Sequence, residues 1–225
     1  KAHGHVDESP MIGMFKKTTL RAWLEKCVNP FNRMLKDEKE SLLELTDGIN
    51  PKLEIYRKGL LDDIHFGTTS IQYHHCNYNK NNVPELVQAV QETGLKCIIA
   101  VGSQDRNYNP DILDNPYSKA IDRLDSYYEK FMADNKKSGL YNRIEIIPGP
   151  DQDFSNTEEM LKAQVKWAKE HKTLIHIHSC EEKEMTEWFT KKYGKTPVQH
   201  LYDSGVLGEN CNVAHQVHTT DKDLD

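Results

Sequence analysis

At 225 residues the chain can bury a sizeable core, as one large domain or two small ones, with one domain the expectation. A hydrophobic fraction of 37% beside 28% charge excludes disordered and membrane-embedded classes; no apolar run nears the roughly 18 residues that span a bilayer and no signal peptide opens the chain, so a cytoplasmic location and no membrane partner are expected. A formal net charge of −6 argues against nucleic acid and for a small-molecule substrate, with homo-oligomerisation left open.

The opening Lys1-Ala-His-Gly-His5 leads into a mixed stretch, Asp7 to Pro51, where Leu20, Trp23, Leu24 and Cys27 recur at helical spacing. Ile55, Leu60, Leu61 and Ile64 mark a helix over Leu53 to His65, stopped by Gly67 before a strand from Thr68 to Tyr73 that ends at His74 and His75. A helix over Pro84 to Glu92 stops at Gly94, and Cys97 to Val101 reads as a buried parallel strand. Gln104 to Asn115 is turn-rich, Ser118 to Lys136 helical, and Arg143 to Ile147 a strand closed by Pro148-Gly149-Pro150. Ser155 or Asn156 is expected to cap a helix carrying Met160, Leu161, Val165 and Trp167. A strand over Thr173 to His178, helices over Glu181 to Tyr193 and Pro197 to Asp203, a strand over Asn212 to Gln216 and a helix start at Thr220 complete the chain.

Strands alternating with helices predict an α/β fold of parallel units, a (β/α)8 barrel of which six strands are present if Ala2-His3 ends the first. A doubly wound open sheet ranks lower, because no Gly-rich phosphate turn follows the first strand. Nothing in composition divides residues 1–225 into separate domains.

The five cysteines are scattered without C-x-x-C spacing, so neither disulfides nor a thiolate zinc site is indicated. Histidine is more telling: eight of the eleven fall in close pairs, His3 with His5, His74 with His75, His176 with His178, and His215 with His218. Barrel enzymes place their chemistry at the carboxyl ends of strands, where four of these pairs fall. Alternate strand residues face one side, so His3 and His5 can address one metal with Gly4 leaving room, and His176 and His178 repeat the spacing. Glu181 is either a helix N-terminal acid or a carboxylate that takes a proton from metal-activated water and passes it on. Taken singly, each of His215 and His218 is more often a hydrogen-bonded loop histidine than a catalytic one.

Together, Ala2-His3-Gly4-His5, Gly67-Thr68-Thr69, Ile175-His176-Ile177-His178-Ser179-Cys180-Glu181 and Val213-Ala214-His215-Gln216-Val217-His218 resemble the amidohydrolase superfamily, in the branch of cytosine, guanine and methylthioadenosine deaminases and triazine chlorohydrolases. The resemblance implies that His3, His5 and His178 are metal ligands, that Glu181 is the proton shuttle, and that His215 orients or deprotonates the attacking water. It also makes Glu8 a substrate-binding position, where a carboxylate with Asp7 grips an amino or amidine group; a solvated loop acid is the competing reading. His74, His75 and His218 are expected around the same substrate, and His176 either faces inward or packs behind. Trp23 and Trp188 are expected in the core or a lid. The fourth strand ends in Ile147-Pro148-Gly149 with no lysine to bridge two metals, so one divalent ion is expected, zinc first and iron second.

Members of this superfamily carry an aspartate at the end of an eighth strand, and none stands in such a position here; the sequence is therefore expected to be an excerpt of a longer one. The implied activity is hydrolytic deamination of an amino-substituted purine, pyrimidine or triazine-like ring: activated water attacks the ring carbon, Glu181 protonates the ring nitrogen and ammonia leaves. Dechlorination or loss of an alkylamine at the same site is the alternative within enzymes, and an inactive barrel fragment serving as a binding module is the alternative outside them.

Overall fold

Among the described residues, five strands alternate with helices: β1 Ser70–His75, β2 Lys96–Ser103, β3 Ile144–Pro150, β4 Ile175–Ser179 and β5 Cys211–His215. The computed structural model describes residues 1–15, 18–132 and 143–224. The run Ile98-Ile99-Ala100-Val101 has no polar face, so β2 is stable only when covered on both sides, and β4, with Ile175 and Ile177 on one face and His176 and His178 on the other, is buried along its whole length. β1, β2 and β3 form one sheet in that order, and β4 and β5 pair in parallel with His178 opposite Ala214 and Ser179 opposite His215. A parallel bridge joins Gln152, just past β3, to His178. Strand order therefore follows chain order, unlike a doubly wound sheet, whose order reverses at a switch point.

The chain divides into two compact units, Lys1–Ile99 with Tyr128–Glu145, and Ala100–Tyr127 with Ile146–Asp225. In the first, α1 (Leu20–Trp23), a π-helical turn (Leu24–Val28), α2 (Asn29–Asp37) and α3 (Lys39–Leu45) fill the long stretch before β1. Met11, Cys27 and Val28 form a small core there, against which Trp23 packs partly buried. Next comes α4 (Pro51–His65), started by Asn50, whose side chain accepts the Lys52 N–H, and packed on α5 (Val83–Thr93), which ends at Gly94 with φ of 79°.

In the second unit, α6 (Ser118–Tyr127) packs against α7 (Glu158–His171), which lies on β4, and α8 (Lys183–Tyr193) and α9 (Pro197–Asp203) follow β4. Leu161, Val165, Ala168, Ile175, Ile177, Leu201 and Val206 make its core. A short α10 (Asp221–Leu224) comes last.

Four local expectations change. Lys1 to His5 is not a strand, although its backbone meets β1 where Gln72 N–H donates to Lys1 and His74 N–H to Gly4, both at 3.0 Å. The spacing of these bonds, three residues on one side against two on the other, breaks the regular ladder. β3 does not stop at Pro148 but runs to Pro150, because Gly149 passes so close to β2 that a Cβ on it would meet the Ala100 carbonyl carbon at 2.8 Å. Thr157, not Ser155 or Asn156, caps α7: its hydroxyl accepts the Met160 N–H at 3.2 Å, while Asp153–Ser155 coils into a separate turn. The helix expected over Ser118 to Lys136 widens into a π turn at Tyr128–Met132, and its last residues lie outside those described.

Candidate metal centre and proton shuttle

In the first unit the histidines stand on an unusual polar interior. His5 donates from Nδ1 to the His74 carbonyl at 3.0 Å; a carbonyl can only accept, so Nδ1 carries the proton and Nε2 keeps its lone pair. The His3 ring meets His5 edge-on with centroids 4.8 Å apart. Burial lowers the His5 pKa below the usual imidazole value, and nearby Asp7 opposes it, so the neutral, ligating form is favoured.

Behind this pair the Asn79 side chain is a hub. Its amide donates to Asp7, and its oxygen accepts from Lys52 Nζ at 2.6 Å and from Tyr56 Oη at 3.3 Å. Lys52 also donates to Asn32 at 2.7 Å, and burial brings its pKa down to about 8. Tyr56 Oη lies 3.1 Å from His75 Nε2, and burial pushes His75 down to about 4. His74 and His75 are both fully buried, whereas Glu8 is half-buried. Gly59 of α4 clears the way for the segment after His5: a Cβ there would lie 2.5 Å from Val6 Cγ2.

In the second unit the supports are backbone. The Asp151 carbonyl accepts both the His178 N–H at 3.3 Å and its Nδ1–H at 2.5 Å, which again leaves Nε2 outward as the donor atom. His215 stacks on His178 with centroids 5.4 Å apart and planes 22° from parallel. Its Nε2 is 3.6 Å from Glu181 Oε1. Burial, with Glu182 and Asp153 close by, raises the Glu181 pKa to about 7, so this carboxyl exchanges its proton near neutrality. The strand ends turn sharply: Cys180, His215 and Gln216 take φ of 50°, 76° and 54°, a region L side chains rarely occupy.

His176 is buried and donates from Nδ1 to the Asn212 carbonyl at 2.8 Å, which anchors β4 to β5. His218 is half-buried, with its N–H on the Cys180 carbonyl at 3.0 Å. Trp188 is 37% exposed beneath Lys192 Nζ, 4.6 Å from its ring. The cysteines are free; Cys27, Cys97 and Cys180 are buried.

Sequence reasoning passed over Asp151, Asp153, Lys52, Tyr56 and Asn79. For the two aspartates a signal existed, since Asp151-Gln152-Asp153 follows the carboxyl end of a strand, where barrel enzymes place polar function. None existed for Lys52 and Tyr56, which sit one turn apart on an ordinary helix.

The parallel α/β scaffold thus carries histidines and a titratable glutamate at its strand ends, where barrel proteins place their polar function. Residues 2–225 match the amidohydrolase family, and the chain belongs to that family. It is 30% identical over 230 residues to a 5-methylthioadenosine/S-adenosylhomocysteine deaminase of Caldanaerobacter subterraneus subsp. tengcongensis, covering 100% of this chain and 46% of that protein. It is 29% identical over 178 residues to a 5'-deoxyadenosine deaminase of Methanothermobacter thermautotrophicus, covering 74% and 36%.

Among solved structures, the atrazine chlorohydrolase of Arthrobacter aurescens complexed with zinc superposes with a TM-score of 0.78 at 19% identity, covering 99% of this chain and 49% of that one. Guanine deaminase of E. coli gives 0.75 at 21% identity, covering 99% and 47%. The chain thus spans about half the length of the relatives it matches. Among the described residues, no helix is long and apolar enough to cross a membrane.

Proposed function

We propose that residues 1–225 form the metal-binding part of a (β/α)8-barrel aminohydrolase that removes ammonia from an amino-substituted N-heterocycle. One observation carries the reading: a carboxyl group poised to titrate at about pH 7, Glu181, sits 3.6 Å from His215 Nε2, on the turn that follows His178. Family membership and relatives named as deaminases of adenosine derivatives support it and put aminopurine nucleosides first among substrates.

His3, His5 and His178 are the proposed ligands of one divalent ion, zinc before iron. The fit rests on His5 and His178, whose Nδ1–H groups are each committed to a backbone carbonyl, so that Nε2 is left as donor. When bound, such an ion supplies Lewis acidity and brings the pKa of water toward neutrality. Glu181 takes the first proton of the attacking water and delivers it to the ring nitrogen as the C–O bond forms. It then carries the proton of the new hydroxyl to the exocyclic amino group, so that the C–N bond breaks as C=O forms and ammonia departs, while His215 orients the water and the tetrahedral carbon. Glu8 and His218, both accessible, are placed as direct substrate contacts; His74 and His75, both sealed, act from behind the strand end.

The test is ammonia release by full-length protein, loaded with zinc, from a panel of aminopurines, aminopyrimidines and aminotriazines. Glu181→Gln should lower kcat by about 10²–10⁴-fold, the usual worth of a positioned acid–base group. A variant as active as the wild type would remove Glu181 from the mechanism. Likeness to the atrazine chlorohydrolase favours a second reading on the same residues, with chloride as leaving group; chloride release from chlorotriazines, without ammonia from the panel, would establish it. A protein that binds no zinc or iron, with no change on His3→Ala, would instead be a binding module.

A further inference from the structure

Glu181 cannot aim itself: it follows Cys180, a side-chain-bearing residue held at φ of 50°, and a backbone in that region relaxes unless its surroundings hold it there. Both peptide groups of Cys180 are held. Its carbonyl accepts the N–H groups of Val217 at 3.1 Å and His218 at 3.0 Å, while the Ser179 carbonyl accepts that of Gln216 at 2.9 Å. These bonds tie the turn to the loop that carries His215.

Its N–H is held from the other side by a carboxylate. Asp153 Oδ2 accepts the Cys180 N–H at 3.0 Å. Asp153 is 5% exposed; burial raises its pKa above the usual carboxylate value, opposed by hydrogen bonds from the Ser179 side chain and the Cys180 and Phe154 N–H groups and by the Arg106 charge. A buried aspartate is costly, and a neutral residue would satisfy the core more cheaply. Its position is set by the chain just before it, where the Asp151 carbonyl fixes the His178 ring. The same three residues after β3 therefore address first the histidine and then the turn that presents the glutamate.

We propose that Asp153 is a positioning residue for the reaction: its carboxylate holds the Cys180 N–H in the left-handed turn that delivers the Glu181 carboxyl to His215. The inference rests on the shuttle role given to Glu181 above.

In the zinc-loaded full-length enzyme, Asp153→Ala should lower kcat by about 10–100-fold, leave KM within about 3-fold, and leave zinc content unchanged, because only the aim of the shuttle is lost. Asp153→Asn should return kcat to within about 3-fold of the wild type, since its amide oxygen can accept the same N–H. In the Glu181→Gln background, Asp153→Ala should add less than about 2-fold, because a residue acting through Glu181 has nothing left to aim. Wild-type kcat in Asp153→Ala, failure of asparagine to rescue, or full additivity with Glu181→Gln would each overturn the inference. If Asp153→Ala does not fold, Asp153→Ser takes its place in every arm.

If the wild type releases no ammonia from any substrate, the functional reading fails, and crystal structures of the variants still decide the positioning role. Glu181 Oε1 should leave its 3.6 Å separation from His215 Nε2 in Asp153→Ala and regain it in Asp153→Asn. An unmoved Glu181 in the alanine variant would overturn the proposal.

Discussion

The two units support their histidines by different means. In the first, His75 rests on a buried web of side chains, Tyr56, Asn79, Lys52 and Asp7, with a lysine whose pKa is drawn down to about 8, while His5 is held by the His74 carbonyl. In the second, His178 and Glu181 rest on main chain: the Asp151 carbonyl, the Cys180 peptide groups and a run of left-handed residues. A side-chain web can be dismantled one substitution at a time, whereas a backbone support is disturbed only by changing conformation. Sensitivity to single mutations should therefore differ between the units, and several measurements sharpen or break that contrast.

The largest effect concerns the metal, which both units are proposed to hold. His5→Ala and His178→Ala should each weaken zinc binding by about 10³-fold, near 4 kcal/mol, as measured by competition with a chromophoric chelator. Loss in one variant only would show that a single unit carries the ion.

Acid should come next, and it should act on both units. Burial lowers His75 to about 4, and burial with the Arg106 charge lowers His200, in the second unit, to about 4 as well. Both lie below the ordinary imidazole value of 6.5, so between pH 6.5 and 4 the unfolded chain takes up protons that the folded chain refuses. Stability is unaffected above pH 6.5 and falls as pH drops through that window. By pH 4 this costs up to about 3 kcal/mol for His75, and less for His200, whose ring is less completely desolvated. Urea unfolding at pH 7 and pH 4.5 should show that His75→Asn and His200→Asn each remove part of this acid sensitivity. Only one doing so would place the acid-labile element in a single unit.

Two glycines give the smallest and most direct comparison. Gly149→Ala, in the second unit, drives a Cβ into the Ala100 backbone at 2.8 Å, which cannot yield, and should cost about 3 kcal/mol. Gly59→Ala, in the first, meets a Val6 methyl at 2.5 Å and comes no nearer to backbone than the Val6 carbonyl oxygen at 3.1 Å, and should cost about 1–2 kcal/mol. Thermal unfolding of both variants checks the order; the reverse order would mean that Val6 is the more rigid neighbour.

Much of this was legible beforehand. Alternation of apolar runs with amphipathic segments locates every described strand and the major helices from Pro51 onward to within a few residues, Pro197–Asp203 at its own bounds, whereas α2 and α3 lie in a stretch whose sequence marks no helix ends. Helix ends were legible where chemistry is local: Gly94 and Gly194 stop α5 and α8 in the left-handed region. Less legible was the α7 cap, because Ser155, Asn156 and Thr157 are all competent caps and only the Asp153–Ser155 turn selects among them. The run of β3 through Pro148-Gly149-Pro150 was hidden for a similar reason. Proline reads as a breaker in isolation, and only the close passage of Ala100 shows why glycine stands between two of them.

By itself the sequence determined the kind of scaffold and the identity of the chemical groups: hydrophobic periodicity depends only on neighbours along the chain, and histidine spacing on strands follows from a period of two. The tertiary structure alone decided which imidazole nitrogen is left to bind, that Asp153 reaches Cys180 across 27 residues, and that burial among other acids brings Glu181 to about 7. Tautomers, the left-handed turns at Cys180, His215 and Gln216, and shifted pKa values arise from groups distant in sequence and close in space, so no local pattern can encode them.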